Sequence, residues 1–141
     1  MRKLMLICAA LLAASGCSAG RDKVAAEAAV TQFHRMVDAA QYHEIYQASA
    51  GELKNVSTEQ DLTRVLQQVH DQMGPVGDSQ QQGWHVNYTN GVTMVNLTYN
   101  TQFANGRATE TFFYRVDNGA PALAGYNINS NDSGTGSTGG K

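Results

Sequence analysis

The sequence predicts an α+β fold, with N-terminal helices packed on a curved antiparallel sheet. Three observations lead there. In the first half, apolar residues recur every three or four positions, the period of a helix face. After Gly74-Pro75 the period falls to two, that of a half-buried strand. Asn90-Gly91, Asn105-Gly106 and Asp117-Asn118-Gly119 then supply tight turns at regular intervals, as an antiparallel meander requires.

The first helix is expected from Val24 to about Ala40, because Ala26, Val30, Phe33, Val37 and Ala40 stack on one face. Dense alanine and the absence of Gly and Pro support it. A second, shorter helix covers Tyr42 to Ala48, with Tyr42, Ile45 and Tyr46 turned inward and Gly51 as its breaker. The third begins at Ser57, which forms a capping box with Gln60. Its stripe is Leu62, Val65, Leu66, Val69 and Met73, and Gly74-Pro75 stops it.

Four strands follow. Trp84–Thr89 places Trp84, Val86 and Tyr88 on one face. Val92–Phe103 turns Val95, Leu97, Tyr99, Thr101 and Phe103 toward the less polar side, and Met94, Asn96, Thr98 and Asn100 away. Ala108–Val116 and Ala122–Ile128 complete the sheet. Such a sheet, curled around a helix, would form a cone with a hydrophobic interior.

Ahead of this domain stands a leader. Met1-Arg2-Lys3 precedes an apolar run from Leu4 to Ala14, too short to span a bilayer, in the manner of a secretory signal. Ala14-Ser15-Gly16-Cys17 resembles the bacterial lipobox, in which the cysteine is lipidated and becomes the new N-terminus. Residues 1–16 are therefore expected to be a lipoprotein signal peptide, 17–23 a lipidated tether and 24–129 the folded domain. The Ser/Gly-rich segment 130–141 has nothing to bury and is expected to be disordered. The resemblance implies lipid attachment at Cys17 in a bacterial cell envelope. Ser18 after that cysteine points to the outer membrane, facing the periplasm. Cys8 departs with the leader, so no internal disulfide can form.

Composition excludes several classes. The 141 residues carry 10 Lys/Arg and 12 Asp/Glu, a formal charge of −2, and loss of Arg2 and Lys3 with the leader makes the chain more acidic. No basic cluster is present for nucleic acid. The four histidines are scattered without metal-ligand spacing, so neither metal nor cofactor is expected. No strand-to-helix glycine loop offers a phosphate cradle.

Asp38-x-x-Gln41-Tyr42, Gly74-Pro75-Val76-Gly77, Tyr99-x-Thr101-x-Phe103, Glu110-Thr111 and Ala124-Gly125-Tyr126-x-Ile128 form an ordered series. In order and spacing it resembles a family of uncharacterised bacterial secreted proteins, catalogued as a domain of unknown function, over Val24 to Asn129. The resemblance extends to the nuclear-transport-factor-2-like roll, shared with ketosteroid isomerase and scytalone dehydratase. It implies fold and export, and brings no catalytic residues. Met73 and Pro121 depart from its pattern, where Arg and Trp are usual.

The residues that could line a pocket in such a roll are Asp38, Tyr99, Glu110, Tyr114 and Tyr126. His34 and Asp38 lie four apart on the first helix, beside the apolar stripe, and are expected on a solvated face. His85 alternates with Trp84 and Val86 and is expected on the polar face. The tyrosines read as core residues with hydroxyls at the rim. Glu110 shares a strand face with Phe112, Tyr114 and Val116; turned inward it would need a partner, and an open strand edge is the expectation. With no convincing acid/base set, the first functional reading is a lipid-anchored binding module without catalysis. It would hold a small apolar ligand or a periplasmic protein partner. An isomerase- or dehydratase-like enzyme using Asp38 or Glu110 with a tyrosine, and an immunity or inhibitor lipoprotein for a secreted effector, remain alternatives.

Overall fold

The computed structural model describes residues 17–131, so the segment expected to be a signal peptide, 1–16, and the expected tail from residue 132 lie outside the described residues. Four helices precede four strands: α1 (Cys17–Asp38), α2 (Tyr42–Ala48), α3 (Gly51–Val56), α4 (Glu59–Met73), β1 (Val76–Thr89), β2 (Val92–Phe103), β3 (Gly106–Asp117) and β4 (Ala120–Ser130). The strands form one antiparallel sheet in the order β1-β2-β3-β4. This is the α+β arrangement that the two hydrophobic periods call for.

The differences from expectation are an added short helix, shifted element ends and one residue of a helix stripe. Helix α1 starts at Cys17, so residues 17–23, read as a tether, are already helical. It stops at Asp38 because Ala40 adopts a left-handed φ of 56°, and the Gln41 N–H turns back to the Met36 carbonyl at 2.8 Å. Gly51 opens a helix, α3, where a break was expected. The cap of α4 is Thr58 rather than Ser57, paired reciprocally with Asp61 rather than Gln60. Val65, assigned to the buried stripe, is 45% exposed, whereas Leu66 is fully buried.

The strands outrun their periodic cores because bulges hide the alternation. Register shifts in β1 fall between Val76 and Ser79 and between Gln81 and Gly83, and each bends the sheet. Asn90-Gly91 and Asn118-Gly119 hold φ of 53°, 80°, 50° and 77°, the left-handed pairs of two-residue hairpins. The third hairpin packs on the helix-to-strand junction. Asn105 N–H donates to the Met73 carbonyl and Ala104 N–H to that of Pro75. Gly74, at φ 75°, sits there because a Cβ would lie 3.0 Å from that of Ala104.

The core lies between the helices and the inner sheet face. Helix α1 contributes Ala26, Val30, Phe33 and Val37; the shorter helices add Tyr42, Ile45, Leu53, Leu62 and Leu66. Strand β2 presents Val95, Leu97, Tyr99, Thr101 and Phe103, all buried, the row read from its alternation. Arg115 ties β3 to α3 through Glu52 at 2.7 Å and also reaches Asp117 at 2.7 Å.

Two substitutions on one helix separate packing from propensity. Leu66→Ala is expected to cost about 2–5 kcal/mol in urea unfolding, whereas Val65→Ala stays within about 0.5 kcal/mol. Equal losses would contradict the placement of the stripe.

Candidate functional site

A carboxyl group stands at the centre of the inner sheet face. Alternation along β3 sends Ala108, Glu110, Phe112, Tyr114 and Val116 inward together, and all five are buried. Glu110 retains only 1% exposure. An unpartnered carboxyl there would cost several kcal/mol, about 2–7 for even a neutral polar group, and the fold supplies donors from three other elements.

Thr101 on β2 and Tyr126 on β4 are diagonal neighbours of Glu110, since Tyr99 and Ile128 stand directly opposite it. The Thr101 hydroxyl donates to Oε2 at 2.6 Å, and the Tyr126 hydroxyl donates to Oε1 at 2.7 Å. From α1, His34 Nε2 lies 2.8 Å from Oε2 and completes the set when it carries its hydrogen. Ser79 on β1 stands behind Thr101, its Oγ 2.8 Å from the Thr101 hydroxyl. One side-chain network thus joins all four strands and α1.

A bulge makes this possible. Tyr114 pairs with Leu123 and Phe113 with Gly125, leaving Ala124 as the extra residue of β4. The inserted residue shifts the phase, so Leu123 and Tyr126 both face inward although they are three apart. Aromatic rings close the space around the carboxyl. Phe112 lies 5.2 Å from both Phe33 and Tyr126, 5.7 Å from His34 and 6.0 Å from Tyr99, and it stacks on Tyr114 at 6.2 Å.

The structure corrects two expectations. His34, expected on a solvated face, is buried, because Val30, Phe33, His34 and Val37 follow the spacing of a single helical stripe. Glu110, expected at an open strand edge, is among the most buried side chains. Asp38 stands apart from this cluster: it is exposed and accepts the Val76 N–H at 3.2 and 3.3 Å, fastening α1 to the start of β1. His85 is exposed on the outer face, opposite Asn96, as its alternation implies. Tyr99 and Tyr114 are core rings, and Tyr126 is half-buried with its hydroxyl on the carboxyl. Ser79 was not foreseen, because the β1 bulges remove its periodic signal.

Burial raises the pKa of Tyr126 well above its ordinary 10.0, and the Glu110 carboxylate pushes in the same direction. Burial likewise raises Tyr99 and Tyr114. These hydroxyls are therefore held as donors or neutral groups across the physiological range. Two mainly apolar clefts lie nearby: one of about 130 Å³, lined by Phe33, Met36, Ile45, Tyr114 and Leu123 among others, and one of about 250 Å³ between α4 and the Ala108 and Ile128 positions, and neither His34 nor Glu110 lines either. No group of three or more residues suited to a metal ion occurs among the described residues.

The family model described as "Protein of unknown function (DUF4019)" matches residues 29–126, and the chain belongs to that family. The matched span runs from the middle of α1 through Tyr126 and so contains every member of the network. No curated protein matches the chain.

Tyr126→Phe removes one donor from a buried acceptor and is expected to cost about 1–3 kcal/mol. Because the folded state retains phenol protons that the unfolded chain releases above pH ~10, stability should hold below that pH and fall above it. The variant should shed part of that alkaline loss, up to about 1.4 kcal/mol per pH unit for each retained proton. Urea titrations from pH 8 to above pH 10 read both effects; an unchanged alkaline slope would contradict the placement of Tyr126.

Proposed function

We propose that this family member is a lipid-anchored, periplasm-facing binding module without catalytic activity, attached to the bacterial outer membrane through Cys17. The observation that carries the reading is the closure of Glu110. Thr101, Tyr126 and His34 engage its two oxygens, and it opens onto none of the described clefts. General acid/base catalysis needs a group within hydrogen-bond reach of the substrate. Glu110 and His34 have the chemistry for that task, but their geometry spends it on each other.

The helices preceding a bulged, four-stranded meander support a nuclear-transport-factor-2-like roll. In this chain the interior of the roll is filled by Phe33, Tyr99, Phe112, Tyr114 and Tyr126. The mainly apolar clefts, about 130 and 250 Å³, fall below the roughly 300–1,000 Å³ of ordinary small-molecule sites. Both facts favour a protein partner, met on the outside of the domain, over an enclosed apolar ligand. The effector-inhibitor reading is one form of such a partner. No helix among the described residues is long and apolar enough to cross a membrane, so the lipid on Cys17 would be the attachment this reading requires.

The test is native mass spectrometry of the chain extracted from its own envelope, with and without chemical cross-linking. A discrete cross-linked protein and no retained small molecule are expected. A stoichiometric small-molecule adduct, or a turnover abolished by Glu110→Gln, would overturn the reading.

A further inference from the structure

The inner row of β1 contains an anomaly. Trp84 stands opposite Leu97, Val86 opposite Val95 and Tyr88 opposite Thr93, so all three share the face that forms the core. Leu97 and Val95 are fully buried, yet Trp84 is 57% exposed and Tyr88 71%. The edge strand thus carries two large, mostly exposed aromatic rings at the margin of the helical layer. Rings of this size left in water mark a surface that meets something else.

Their position identifies what they meet. Lys23 Nζ sits 5.4 Å over the Trp84 ring, and Ser18 and Tyr88 line one open cleft with Asp22 and the Gly91 and Gly119 turns. Since α1 begins at Cys17 with no spacer, Lys23 lies about 9 Å along the helix from the attachment point at 1.5 Å per residue. Tyr88 shares a cleft with Ser18, the residue next to Cys17. The polar layer on each side of a bilayer is about 5–8 Å thick, so both rings come within reach of it when α1 is inclined.

We propose that Trp84 and Tyr88, together with the start of α1, form a lipid-facing surface that rests in the headgroup layer of the membrane holding Cys17. The proposal rests on the anchor assigned to Cys17 above. Trp and Tyr favour that layer because each combines an apolar ring with a polar edge. Charge plays little part. Lys23 pairs with Glu27, Asp117 pairs with Arg115, and Arg21 and Asp22, of opposite sign, line the same cleft. Contact is therefore by aromatic insertion and tolerates salt. The domain would lie against the bilayer with its outer sheet face free for a partner.

Trp84 is the chain's single tryptophan, which makes the test direct. The full chain, processed by its own cell, is reconstituted in vesicles of phosphatidylethanolamine and phosphatidylglycerol carrying a headgroup nitroxide, and its acyl mass is measured in parallel. Trp84 emission should shift to the blue and fall roughly twofold on contact with the quencher, at low and high salt alike. The Trp84→Phe/Tyr88→Trp variant should be quenched more strongly, because position 88 shares a cleft with Ser18, next to the attachment point. An acylated chain whose tryptophan is unquenched at both positions would overturn the surface and leave the anchor standing. Shielding that appears only when a protein co-purifies would overturn it as well. A mature chain without acyl mass would overturn anchor and surface together.

Discussion

The carboxyl group of Glu110 cannot be buried without donors, and the way that demand is met organises the molecule. Its donors come from β2, β4 and α1, with β1 joined through Ser79. Apolar packing of Ala26, Val30, Phe33 and Val37 holds α1 on the sheet. The hydrogen bond between His34 and one particular oxygen adds a directional constraint. The network thus supplies orientation where the hydrophobic stripe supplies adhesion. The bulge at Ala124 belongs to the same arrangement, because without it Tyr126 would point outward.

Most of the fold was legible because its periods are clean. The bounds of α2 and β2 follow directly from apolar spacing, and the Asn-Gly turns fall where positive φ is needed. What escaped is local and has a physical cause. Bulges break the alternation of β1 and β4, so the first strand looks half its length. Ala40 adopts a left-handed conformation that its residue type does not announce. Thr58 and Ser57 are equivalent cap chemistries one residue apart.

At the site, Glu110, Tyr99 and Tyr114 were each visible from strand parity, but their partners were not, and Tyr126 lies past the β4 bulge, where parity fails. Parity tells which face a side chain occupies, not which helix covers it. His34 had a signal, the stripe spacing with Val30, Phe33 and Val37, and its polarity argued the other way. Polar residues on apolar faces read as exceptions until the second member of the pair is seen. Asp38 shows the converse: a plausible acid on the same helix serves to hold a backbone N–H at the start of β1.

A carboxylate, an imidazole and a phenol within hydrogen-bond distance are the parts of an acid/base site, so the functional account turns on whether water reaches them. The most direct measurement is the proton NMR signal of the Tyr126 hydroxyl in the full chain. A sealed donor to Glu110 should give a resolved hydroxyl resonance in slow exchange with water, coupled through space to the Phe112 ring. A hydroxyl that exchanges too fast to detect would mean that solvent enters the cluster, and would contradict its role as a closed structural clamp.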